Sequence, residues 1–231
     1  MKHILDNPIW NALNTGNAPI SRGDNHAKYF EREIGFFAGL KDRSEQNFNH
    51  LYKLLANNEI AVLFSPEEMK IPAGWKVYEH KKLLQMVFEN QPIPSVPENN
   101  IVALDKRNNS EMLALTAKTT PGPFLSRTIE LGNYEGIYEE GRLVAMAGQR
   151  FKPGMYTEIS AVCTDPDYAG RGYASMLIRS QIRKITTEDR TPFLHVLPEN
   201  EGALRLYGKL GFAIRKEFIV YVIGKDAAKI S

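Results

Sequence analysis

The sequence predicts a mixed α/β fold, a sheet of mixed strand direction with helices packed on it. Three observations lead there. Apolar residues recur with a period of two in some segments and at helical spacing in others. Beyond residue 100 these segments run as a hairpin followed by strand, helix, strand, helix, strand, an order that lays helices against a sheet. Finally, Thr164-Asp-Pro-Asp-Tyr-Ala-Gly-Arg-Gly-Tyr-Ala-Ser-Met-Leu177 passes from a β-type segment through a Pro/Asp/Gly turn straight into an amphipathic helix.

Taken in order, residues 45–57 carry Phe48, Leu51, Leu54 and Leu55 at helical spacing. Residues 60–64 form a short apolar strand stopped at Ser65-Pro66, and residues 75–80 alternate like a half-buried strand. Three prolines, Pro92, Pro94 and Pro97, make residues 90–100 a connector, because they block both helices and sheet ladders. The chain is therefore divided into a smaller mixed α/β N-terminal domain, 1–95, and a C-terminal domain, 100–231. In the latter, 101–105 is a strand and 109–119 a helix ended by Pro121-Gly-Pro123. Residues 134–148 form a hairpin turning near Glu140-Gly141, and 156–163 a strand. The next helix has Ala174, Leu177, Ile178, Ile182 and Ile185 on one stripe. Residues 192–196 are strand-like. Residues 200–210 form a helix with Asn200 as N-cap and Gly211 at C′, and 218–222 is the last strand.

Composition narrows the function. With 231 residues, 43% hydrophobic, a packed core is readily built, and a net charge of +2 gives no general basic field for nucleic acid. Cys163 is the single cysteine, which excludes an internal disulfide and a four-cysteine zinc site. The first residues lack the apolar core of a signal peptide, and no apolar run approaches the ~18 residues of a membrane span. A cytoplasmic protein with no membrane partner is expected.

The Thr164–Leu177 stretch is an anion socket: the first helical turn presents unpaired N–H groups at the positive end of the helix dipole, and glycines admit a close approach. A second motif lies downstream, Asn200-Glu-Gly-Ala203 with Tyr207-Gly-Lys-Leu-Gly-Phe212. Together with Ala169-Gly-Arg-Gly-Tyr-Ala174, it makes residues 101–223 resemble the GNAT superfamily of N-acetyltransferases, nearest the branch of glycine N-acyltransferase-like C-terminal domains. The resemblance implies a GNAT-like, mostly antiparallel central sheet flanked by helices. The N-terminal region would then be a degenerate copy of that architecture shaping the acceptor pocket. One departure stands out: Ala169 occupies the place of the family's usual Gln or Arg.

The resemblance further implies transfer of an acyl group, acetyl above all, from acetyl-CoA to an amine in a ternary complex, without a metal. Val162, Cys163 and Thr164 would hold the pantetheine arm, one of their N–H groups facing the thioester oxygen. Ala169, Gly170, Arg171, Gly172, Tyr173 and Ala174 would take the pyrophosphate, with Asn200 and Ala203 contributing from the later helix. Asn200 is a helix cap under any reading. Tyr207 would be the acid for the leaving thiolate, against the default of a core tyrosine. Glu158 would be the base, directly or through water, against the default of a solvated strand glutamate. His195 is expected to be buried and hydrogen-bonded rather than a second base, and Cys163 a small hydrophobe rather than a nucleophile. Arg171, Arg205 and Lys209 meet phosphates or simply face solvent. The acceptor is a small-molecule or peptide amine, chosen by loops around 121–127 and 150–156, and a homodimer is the default assembly. The competing reading is a non-catalytic acyl-CoA sensor, which would need neither Glu158 nor Tyr207.

Overall fold

The computed structural model describes residues 3–89 and 100–226. Helix α1 (Pro8–Asn14) leads into β1 (Ser21–Gly23), β2 (Ala27–Phe30) and β3 (Ala38–Leu40), which pair antiparallel as a small sheet. Helix α2 (Glu45–Leu54), β4 (Ile60–Ser65) and β5 (Trp75–Phe88) follow. Beyond residue 100 come β6 (Ile101–Ala103), α3 (Asn109–Thr119), β7 (Glu135–Glu139), β8 (Arg142–Gln149) and β9 (Tyr156–Thr164). Helix α4 (Tyr173–Thr187), β10 (Thr191–Val196), α5 (Glu201–Lys209) and β11 (Phe212–Lys225) complete the chain.

Eight strands form one sheet in the order β4-β11-β5-β10-β9-β8-β7-β6. Every neighbouring pair is antiparallel except β9 and β10, which are joined by α4, as a parallel pair requires a crossover. This is the mixed, mostly antiparallel sheet flanked by helices that the sequence predicts. Helix α4 buries Leu177, Ile178, Ile182 and Ile185 against it. The β7–β8 hairpin turns at Glu140 (φ 49°) and Gly141 (φ 77°), the pair of positive φ angles that a type I′ turn needs.

The sheet departs from the sequence reading at β5. That strand runs to Phe88 and lies between β10 and β11, with Leu84–Val87 paired on both sides. The boundary at 95–100 therefore divides the chain but not the sheet, since β4 and β5 come from one side of it and six strands from the other. The proline-rich connector lies, but for residue 100, outside the described residues. The small β1–β3 sheet and α1 also belong to the N-terminal segment, and they cover the large sheet through one core. Leu5, Ile9, Phe30 and Phe37 pack there with Phe151, Phe193 and Phe218. Phe151 is wholly buried, its ring 5.0 Å from Phe37, 6.0 Å from Phe64 and 6.1 Å from Phe30. Among the described residues no helix is long and apolar enough to cross a membrane.

Removing β5 would strip β10 and β11 of the strand between them and expose this core. A fragment of residues 100–231 is therefore expected to show no cooperative thermal transition by circular dichroism, whereas the full chain shows one.

Candidate active site

Strands β9 and β10 are paired only from Tyr156–Thr191 to Glu158–Phe193, after which they separate. Just past that point β9 carries a bulge: Ser160 faces Gly148 and Cys163 faces Met146, so Ala161 and Val162 share the single partner Ala147. Ala161 sits at φ 53°, a left-handed backbone unusual for a side-chain-bearing residue. The parted strands open a cavity of about 630 Å3. Residues 159–164 line one side, and Val196, Leu197, Asn200 and Tyr207 the other. Residues 119–123 form a further wall, and β4, β5 and β11, with Phe36, Phe37, Arg150 and His195, supply the rest.

Of the residues singled out from sequence, Val162, Cys163, Thr164, His195, Asn200 and Tyr207 line this cavity together. The Thr164 hydroxyl is buried and has no hydrogen-bond partner among the described residues. Burial pushes the Cys163 thiol up to about 11, the behaviour of a small hydrophobe rather than a nucleophile. Asn200 Oδ1 accepts from the Ala203 N–H at 3.1 Å and caps α5, so Ala203 has no amide to spare and packs into the core instead. The Tyr207 ring is 8% exposed, and burial alone pushes its phenol up to about 12. It is therefore a protonated donor at any physiological pH.

The glycine loop follows β9, beyond the cavity lining. Gly170 and Gly172 have φ 78° and 83°, and nothing lies within 4 Å of where a Cβ would stand on either. The first helical bond of α4 runs from Met176 N–H to the Gly172 carbonyl at 3.1 Å. Consequently Tyr173, Ala174 and Ser175 hold out N–H groups with no acceptor in the helix. An open cradle with free amides fits a pyrophosphate. Two members of the loop do otherwise: the Ala169 N–H is bonded to the Pro166 carbonyl at 3.2 Å, and the Tyr173 hydroxyl donates to Glu139. Arg171 lies over the Tyr168 ring at 4.7 Å.

Glu158 is where the geometry corrects the sequence reading. Its side chain is fully buried behind the cavity wall. Arg150 donates to both oxygens at 2.7 Å, His195 Nδ1 lies 2.6 Å from Oε1, and the Phe151 N–H approaches Oε2 at 3.4 Å. Burial by itself would raise the carboxyl, but the Arg150 charge and its hydrogen bonds, with His195, bring it down to about 2. A carboxylate held so firmly is a poor proton acceptor, and it does not reach the cavity. His195 is lowered chiefly by burial, against the raising pull of Glu158. Its Nε2 lies 3.0 Å from Gln85 Nε2, whose oxygen accepts from Arg215 at 2.9 Å. Gln85 must then donate, and the neutral histidine carries its proton on Nδ1 toward Glu158. Arg215 in turn pairs with Asp6.

Arg150, Gln85 and Arg215 were not found from sequence. Arg150 stacks on Phe151 and Phe37 at 4.5 and 4.6 Å and lines the cavity with Phe64 and Phe37. Of the two loops expected to select the acceptor, Pro121, Gly122, Pro123 and Arg150 reach the cavity, whereas Arg127 is tied to Glu31, Glu33 and Glu130.

The sheet is thus split beyond its one parallel pair, with a bulge at the split and a glycine-capped helix after it. Comparison with known proteins finds the same fold. A protein from Novosphingobium aromaticivorans assigned to the GNAT family of acetyltransferases is 35% identical over 98% of this chain and 100% of its own, with a TM-score of 0.91. The chain belongs to the GNAT family. The FR47-like protein family matches residues 134–220. A GCN5-related N-acetyltransferase from Kribbella flavida shares the fold at 17% identity, 94% and 95% coverage and a TM-score of 0.62. A GNAT-family acetyltransferase from Colwellia psychrerythraea does so at 13% identity, 95% and 92% coverage and a TM-score of 0.55. No curated protein matches the chain.

Substituting Glu158→Gln leaves the Arg150 charge buried without its counter-ion and should cost about 3–5 kcal/mol in urea unfolding. In the wild type, the carboxyl titrates near the ordinary 4.5 when unfolded and near 2 when folded. Between those values the unfolded chain binds more protons, so this stabilisation is complete above pH 4.5 and lost as pH falls toward 2. The variant should lack that portion of the acid dependence.

Proposed function

We propose that the protein transfers an acetyl group from acetyl-CoA to a primary amine by direct attack in a ternary complex. The observation that carries this reading is the single cavity shared by the Ala161–Val162 bulge and the protonated Tyr207. Membership of the GNAT family supports acetyl-CoA as donor, and the cradle at Gly170 and Gly172 fits its pyrophosphate. When bound, acetyl-CoA supplies the activated thioester. Thr164, through its unpartnered hydroxyl, and the backbone of Val162 and Cys163 hold the pantetheine arm. The bulge leaves an N–H without a ladder partner, positioned to receive charge developing on the thioester oxygen. Tyr207 gives its proton to the departing sulfur. Glu158 acts through Arg150 and His195, fixing the back wall of the cleft rather than taking a proton.

The acceptor enters over the N-terminal strands, whose side chains make up the remaining wall. The placement near the glycine N-acyltransferase-like branch, a cytoplasmic setting and a homodimer stand with this proposal on sequence grounds.

Tyr207→Phe should slow turnover about 10²-fold with CoA affinity unchanged. Because the phenol titrates only near 12, no alkaline loss of kcat attributable to it is expected below about pH 10. Unaltered kcat in the variant would remove Tyr207 from the acid role. Gly172→Val places a β-branched residue at φ 83° in the cradle and should weaken CoA binding measured by calorimetry; equal affinity would count against the pyrophosphate site.

A further inference from the structure

Past the bulge, the cavity is floored by the sheet itself. Side chains alternate across a strand, and Ile60, Val62 and Phe64 of β4, Leu83 of β5, and Val220 and Val222 of β11 form an apolar floor. The same face of β5 continues through Lys81 to Glu79 at the exposed rim, and His195 of β10, both of whose nitrogens are engaged by Glu158 and Gln85, stands at the inner end. Among the described lining residues the one carboxylate is Glu79, and it is paired with Lys81 at 2.7 Å on the exposed rim. Glu158 lies behind this wall with Arg150 across both its oxygens. A polyamine, an aminosugar or a lysine-rich peptide brings further polar or cationic groups, and the floor formed by β4, β5 and β11 offers them no unpaired carboxylate. Burying them unpaired is costly.

We propose that the acceptor is a primary amine borne on an uncharged, apolar body, aliphatic or aromatic, that lies on this floor. The inference rests on the N-acetyltransferase reading above. It also resolves the missing base. An ammonium group is disfavoured in apolar surroundings, so the amine reaches the thioester in its neutral, nucleophilic form without help from Glu158. The N–C bond forms as the C–S bond breaks. Tyr207 delivers its proton to the thiolate, and the proton shed by the acylated nitrogen passes to solvent, from which Tyr207 is restored.

The test compares hexylamine and phenethylamine with spermidine and glucosamine, reading thiol released from acetyl-CoA by the full chain. The two apolar amines should exceed the polar ones in kcat/KM by about tenfold or more. Val222→Asp, which puts a carboxylate on the half-buried part of the floor, should shift the ratio toward spermidine by about tenfold, with acetyl-CoA affinity by calorimetry confirming that the variant is folded. Preference of the wild type for spermidine or glucosamine overturns the inference and leaves the N-acetyltransferase reading standing. Absence of thiol release with all four amines overturns both.

Discussion

The cleft exists because β9 and β10 stop pairing, and the last paired residue of β9 is Glu158. A wholly buried carboxylate at that position is tolerable only if its charge and lone pairs are met. Arg150 from the end of β8 and His195 from β10 meet them, and the polar chain continues through Gln85 of β5 and Arg215 of β11 to Asp6. One line of hydrogen bonds thus crosses five adjacent strands at the apex of the split. It locks the strands on either side while leaving the bulge free to face the cavity. The charge of Glu158, held down by Arg150 and His195, is what suits it to this place.

Much of the catalytic half was legible because its signals are local. The α4 stripe, the Glu140-Gly141 turn, the Asn200 cap and the glycine loop each lie within a dozen residues. The spacing from Gly170 to Tyr207 was readable as a motif. In the N-terminal half α2, β4 and the start of β5 were legible, and the rest was not, for the opposite reason. In β5 the alternation read over 75–80 does not correspond to a half-buried face, since residues 76–82 are exposed, and Lys81 and Lys82 end it, so the strand's extension to Phe88 rests on its pairing with β11 and β10. Strands β1 to β3 are three or four residues long, too short to show a period. Arg150 and Phe64 carry no signal of their own, since what gives them meaning is a partner contributed by a distant segment. Glu158 was found for its strand position, but its enclosure by Arg150 and His195 was not, because sequence does not reveal what closes over a side chain.

The two halves consequently divide the labour within one sheet. Residues after 100 furnish the bulge, the cradle and Tyr207. Residues before 90 furnish β4 and β5, and with β11 these line the part of the cavity proposed for the acceptor. Substitution on the inward face of β4 can alter which amine fits without touching the cradle or Tyr207, so selectivity and chemistry can vary separately.

The seating of β5 also orders events in time. This strand is made early in synthesis, while β11, its longest partner, is the last described strand to be made. Contacts spanning well over a hundred residues close slowly, because the chain between them must first be gathered in. Until β11 arrives, β5 has one long edge with no neighbour, a state open to pairing with other chains. The wall that β4, β5 and β11 give the cleft is complete only when the last described strand has paired.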